Sequence, residues 1–153
     1  MNVNDMLLKG SRPVEILLVD DNPADVTLTQ EAFLENKLCN NLNVVNDGVE
    51  AMDYLRKRGK YTSVSTPDII LLDLNMPKKD GREVLAEIKA DDVLKYIPVV
   101  IMTVSKDDKD VLESYRLHAN CYVKKPVKFT EFVEVVKAIE NFWFSVVTLP
   151  SKK

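Results

Sequence analysis

Histidine is almost missing from this chain, where His118 stands alone. Chemistry that needs two imidazoles, as in the common zinc hydrolase centres, is therefore excluded. Cysteine is nearly as scarce: Cys39 and Cys121 in 153 residues make no disulfide framework. No apolar run approaches the ~18 residues that a membrane span requires. Met1 to Arg12 lacks the apolar core of a secretory signal, so the cytoplasm is the expected compartment and no membrane partner is expected. Neither sign of charge dominates, since 21 basic and 24 acidic residues leave a net charge of -3. That balance speaks against nucleic acid as a partner and against an anionic membrane surface. Four Gly and seven Pro are too few for a collagen-like or low-complexity chain. What is present is ordinary globular material, 46% apolar and 29% charged. A mass of 17.4 kDa corresponds to about one domain.

Short apolar runs alternate with longer amphipathic stretches. Glu15 to Val19 is a continuous apolar run that ends in Asp20-Asp21-Asn22-Pro23. A run suited to burial on both faces, closed by turn residues, reads as a parallel strand. Pro23 suits the first turn of a helix, Asn22 suits its cap, and the helical pattern continues to about Lys37. Leu42 to Val45 predicts a second strand, broken by Asp47-Gly48 and followed by a helix up to about Arg58. The stretch Gly59 to Pro67 is polar and predicts a loop. Asp68 to Leu72 predicts the third strand, ending in Asp73, and Glu83 to Ala90 the next helix. Pro98 to Met102 predicts the fourth strand, ending in Thr103, with a helix from Ser105 to about Leu117. Cys121 to Val123 predicts a fifth strand, ending in Lys124-Lys125-Pro126, and Phe129 to about Val147 a long last helix. Five strand–helix alternations in so short a chain imply an α/β fold: a doubly wound, five-stranded parallel sheet. The expected strand order is 2-1-3-4-5.

In open sheets of this kind, ligands bind beyond the carboxyl ends of the strands. Asp20 and Asp21 follow strand one, Asp73 strand three, Thr103 strand four and Lys125 strand five. Three carboxylates brought together repel one another, and one lysine cannot balance them. A hard divalent cation can, and oxygen donors suit Mg²⁺ or Mn²⁺. Acidic residues after strands also serve as plain helix caps, and for Asp20 or Asp21 alone that explanation is as good. It does not cover four strand ends together.

These residues carry a resemblance. Leu-Val-Asp20-Asp21, Leu-Leu-Asp73-Leu-Asn-Met-Pro77, Asp80-Gly81, Thr103 and Lys125-Pro126 resemble the receiver domain of two-component response regulators, from about Pro13 to Asn141. The resemblance implies a flavodoxin-like receiver fold over residues 13–141, with 142–153 as a C-terminal helix extension and tail. It implies that Asp73 accepts a phosphoryl group from a phosphohistidine of a sensor histidine kinase, in a Mg²⁺-dependent reaction. Asp21 would bind the metal directly, Asp20 largely through water, and Asn75 through its backbone carbonyl. Lys125 would neutralise a phosphoryl oxygen, and Thr103 would sense the acyl phosphate, with Tyr122 as the coupled aromatic switch. A cis peptide is implied at Lys125–Pro126. Such a protein is a signalling switch rather than an enzyme, catalysing only its own phosphorylation and dephosphorylation. Phosphoryl transfer needs positioning and charge stabilisation above all, which this residue set supplies.

Val104 departs from the family pattern, where a small residue is usual after the threonine, and so bears on the rates at Asp73. Ser105 and Asn75 sit where the hydrolysis rate is tuned, although Ser105 is equally a helix cap. Cys121 reads as a core residue, His118 as a helix C-terminal residue and Lys57 to Lys60 as a solvated helix end. Pro77-Lys-Lys79 lies beside the acidic site, where it could steer a kinase. The chain stops soon after its last helix, so a stand-alone receiver is expected. That helix is too apolar at its end: Phe142, Trp143, Phe144, Val146, Val147 and Leu149 crowd all its sides. Such a segment calls for a partner, and a homodimer with Phe142, Trp143 and Val146 in its interface is expected. The alternative is that the tail folds back on its own domain. The ending Asn141 to Pro150, with Gly59-Lys-Tyr61, is similar to the phytochrome-associated group of stand-alone response regulators, which implies a phytochrome-like kinase. Two other classes compete. A phosphohydrolase of the haloacid dehalogenase type would place a second Asp where Asn75 stands. A phosphorylation-independent interaction module would not need the complete residue set.

Overall fold

The computed structural model describes residues 13–36, 40–76, 78–103, 115–116, 118–119, 121–126 and 128–141. Five strands form one parallel sheet: β1 (Val14–Val19), β2 (Asn40–Val45), β3 (Ile69–Leu72), β4 (Val99–Thr103) and β5 (Cys121–Lys124). Their order is β2-β1-β3-β4-β5, as expected. Four helices are described: α1 (Pro23–Asn36), α2 (Gly48–Leu55), α3 (Gly81–Ala90) and α4 (Phe129–Glu140).

The apolar runs form central strands because alternate side chains leave the sheet on opposite faces, and both faces are covered. Leu17, Val19, Ile70, Leu72, Val99 and Ile101 pack with α2 and α3 on one side. Ile16, Leu18, Ile69, Leu71, Val100 and Met102 pack with α1 and α4 on the other. Phe132, Val136 and Ile139 supply the buried stripe of α4, which packs against α1.

Boundaries differ from expectation where a residue does local work. Asp47 does not merely break β2: its Oδ1 accepts from the Glu50 N–H at 2.8 Å and caps α2. Asp80 caps α3 in the same way, accepting from the Arg82 N–H at 2.7 Å. The strand β2 starts at Asn40 rather than Leu42, because it is an edge whose backbone pairs with Val14 and Glu15 whatever its side chains are. The polar loop after α2 contains one 3₁₀ turn, Gly59–Tyr61. His118 has φ 69° and its N–H bonds to the Tyr115 carbonyl at 3.0 Å, so it ends a helical turn in the left-handed region. Most of the helix expected from Ser105, with Val104, lies outside the described residues. So do Cys39, Pro77 and the tail from Phe142 on, including Trp143 and Val146. Among the described residues there is no cis peptide, and Lys125–Pro126 is trans, contrary to expectation. Trans is the intrinsically preferred form of an X–Pro bond.

Candidate functional site

The sheet's hydrogen-bond ladder runs one residue past the strands and fixes the residues that carry the chemistry. The Asp20 N–H donates to the Val45 carbonyl at 3.1 Å, that of Asp73 to Val19 at 3.0 Å and that of Lys125 to Thr103 at 2.7 Å. Asp20, Asp73, Thr103 and Lys125 therefore meet at one edge, all buried, while Asp21 is exposed. Asp20, Asp21 and Asp73 each offer a carboxylate oxygen, and these atoms lie within 4.8 Å of one another. Three hard oxygen donors so close together suit a hard divalent cation, and this donor set fits Mg²⁺ or Mn²⁺.

Lys125 is the cation that the fold itself supplies. Its Nζ lies 2.7 Å from Asp20 Oδ2, 2.9 Å from Asp25 Oδ2 and 3.2 Å from Asp73 Oδ2. Burial opposes the charge on this lysine, but the carboxylates outweigh it and hold its pKa above the ordinary lysine value. Burial likewise pushes the Asp20 carboxyl above the usual range, with the Lys125 bond pulling the other way. Asp25 was not among the residues singled out from the sequence. An acid in the first turn of α1 reads there as a complement to the helix dipole, and nothing local reveals a bond to a lysine a hundred positions away.

Around this centre, Asn75 follows Asp73 in the loop and its N–H donates to Asp73 Oδ1 at 3.2 Å. Its Nδ2 lies 3.4 Å from Thr103 Oγ1, a long bond between the loop and the end of β4. Tyr122 is half-buried on β5, in register with Ile101 and packed against the α2–α3 side of the core. Gly81 opens α3 directly behind the site: a Cβ there would fall on the Asp73 carbonyl oxygen and 2.6 Å from the Leu74 Cα. A side chain is excluded because the helix start and the end of β3 touch. The lysines beside the site are engaged at home. Lys78 pairs with Asp47 at 3.4 Å, and Lys79 pairs with Glu87. In the basic cluster beyond α2, Arg58 pairs with Asp53 at 3.5 Å and Lys60 with Glu50 at 3.6 Å, as suits a solvated helix end.

Comparison with known proteins agrees with this geometry. A family profile described as "Response regulator receiver domain" matches residues 16–137. Response regulator Rcp1 of Synechocystis sp. is 48% identical over 143 residues, covering 94% of this chain and 97% of that one. The probable methanogenesis regulatory protein FilR2 of Methanothrix harundinacea is 39% identical over 90% of this chain and 88% of its own. Among solved structures, the phosphorylated cyanobacterial phytochrome response regulator RcpA superposes with a TM-score of 0.87 at 52% identity, over 91% of this chain and 99% of that one. The Mn²⁺-bound form of Rcp1 superposes with a TM-score of 0.85 at 47% identity, over 91% of this chain and all of the other.

Proposed function

Because the chain belongs to the response regulator receiver family, we propose that it is a phosphorylation-dependent switch whose acceptor is Asp73. Receiver domains of two-component systems are signalling switches rather than classical enzymes. The observation that carries the assignment is the contact of Lys125 Nζ with Asp73 Oδ2 at 3.2 Å, inside a buried acidic site at the carboxyl edge of a parallel sheet.

In the proposed reaction, a carboxylate oxygen of Asp73 attacks the phosphorus of a phosphohistidine on a sensor histidine kinase. The new O–P bond forms as the N–P bond breaks, and the leaving imidazole nitrogen takes a proton from solvent. Lys125 meets the charge on a phosphoryl oxygen with its ammonium. Asp20, Asp21 and Asp73, with the Asn75 backbone carbonyl, would hold Mg²⁺ or Mn²⁺, which when bound supplies further neutralisation of phosphoryl charge. The acceptance of Mn²⁺ by the related Rcp1 supports that choice. Thr103 stands at the end of β4, where its hydroxyl can hydrogen-bond the acyl phosphate, and Tyr122 on the adjacent strand is the aromatic that carries the change onward. Relatives associated with phytochromes make a phytochrome-like sensor kinase the proposed partner.

Residues 13–141 are assigned to the receiver unit and 142–153 to an extension. The apolar residues Phe142, Trp143 and Val146 of that extension are assigned to a homodimer contact. Incubation with a small phosphodonor and Mg²⁺ tests the central reading. A stable mass gain of one phosphoryl group on Asp73 is expected. Continuous turnover of the donor, or no gain at all, would overturn it.

A further inference from the structure

Asp25 stands where a helix usually spends an acid on its own cap. Asn22 is the cap of α1, its Oδ1 accepting from the Ala24 and Asp25 N–H groups at 3.0 and 3.1 Å. An acid three residues after a cap commonly reaches back to the cap residue's own N–H. Here that N–H is taken by Asp20 Oδ1 at 3.0 Å. The Asp25 carboxylate is thus released from capping, and it turns instead to Lys125 Nζ, 2.9 Å away. Its backbone is held as well, since the Thr29 hydroxyl, on a buried side chain, donates to the Asp25 carbonyl at 2.8 Å.

An ammonium has three N–H donors, and in this site three carboxylates claim them: Asp20, Asp25 and Asp73. A phosphoryl oxygen on Asp73 needs one of the three. Asp20 and Asp73 also belong to the set assigned above to the cation and the phosphoryl group. Asp25 belongs to neither, and it is tied to α1 rather than to the loops around the acceptor. We propose that Asp25 is the fixed anchor of Lys125, a positioning residue that keeps the ammonium beside Asp73 while its other partners change. This rests on the switch reading for its consequence, but not for the anchor itself.

Asp25→Asn preserves shape and an acceptor and removes the charge. In unphosphorylated, metal-free protein the Lys125 ammonium resonance should move in this variant, a readout that involves neither phosphate nor metal. At saturating Mg²⁺, phosphoryl uptake from a small donor should slow by about tenfold, the loss of one charge-assisted bond. In a Lys125→Ala background the same substitution should change uptake by less than about twofold, because there is no ammonium left to anchor. An unmoved resonance together with wild-type uptake would overturn the anchor. So would a full loss in the Lys125→Ala background, which would show Asp25 acting by another route. If the wild type takes up no phosphoryl group, the switch reading fails while the resonance still decides the anchor.

Discussion

Glu140 is 1% exposed at the end of α4, and among the described residues neither of its carboxylate oxygens meets a hydrogen-bond partner. Burial pushes its pKa up to about 8, against ~4.3 for a free glutamate. The folded state therefore binds this proton more tightly than the unfolded chain does. The stability it contributes is full below about pH 4 and is lost as pH rises toward 8. Glu140→Gln should match the wild type at acid pH and exceed it by up to a few kcal/mol in alkaline buffer, as read from thermal midpoints across that range. Asp73→Asn should abolish covalent phosphorylation, because an amide is a far poorer nucleophile than a carboxylate. Intact mass after phosphodonor treatment checks it, and an undiminished mass gain would place the acceptor elsewhere. The placement of Asp20, Asp21, Asp73, Thr103 and Lys125 at one edge of the sheet was legible in the sequence, because each stands at the end of an apolar run that had to be a strand. Asp25 and Glu140 were not. Asp25 is defined by a contact between α1 and the residue after β5, and Glu140 by its burial at the end of α4, and neither sits at the end of a strand-like run.

The elements show the same division. The central strands β1, β3 and β4 were readable to within a residue, since burial on both faces leaves an unbroken apolar run. The edge strand β2 and the C-terminal end of α2 were not: backbone pairing decides the first, the cap at Arg56 and the left-handed Lys57 (φ 55°) decide the second, and hydrophobicity decides neither. The start of α3 is where element and site join. Gly81→Ala forces the helix away from the carbonyl of Asp73. It should cost about 1–3 kcal/mol in denaturant titration, the usual range for an overpacked contact. It should also slow phosphoryl uptake, because the acceptor's backbone must shift. Unchanged stability and uptake would mean that the helix end moves freely. Asp80→Ala at the cap of the same helix should cost about 1 kcal/mol and leave Asp73 in place.

At the scale of the whole molecule, the metal site proposed above predicts a link between metal and stability. Mg²⁺ should raise the unfolding midpoint, because the proposed site of Asp20, Asp21 and Asp73 is assembled in the folded protein and not in the unfolded chain. Asp21→Ala should remove most of that shift and leave the metal-free protein as stable or slightly more so, since like charges are relieved. A persistent Mg²⁺ effect in the variant would sink the assignment of Asp21. The proposed homodimer rests on the composition of the chain beyond α4. Large apolar side chains contribute about 1.5–3 kcal/mol each when buried, and in that proposal Phe142, Trp143 and Val146 would supply them to a two-fold mate. Polar replacement of Phe142 and Trp143 together should give a folded monomer in sedimentation, and a wild type already monomeric at high concentration would refute the dimer. The backbone rungs at Asp20, Asp73 and Lys125 have one more consequence, visible in deuterium uptake. The Asp73 amide continues the central β1–β3 ladder, so it should exchange only in openings that also break those strands and rank among the slowest in the protein, ahead of the Asp20 and Lys125 amides, which continue the ladders to the two edge strands. The Asn75 amide hangs instead from the Asp73 side chain itself. Its protection should change as soon as that carboxylate is phosphorylated as proposed, making one loop amide a clock for the lifetime of the acyl phosphate.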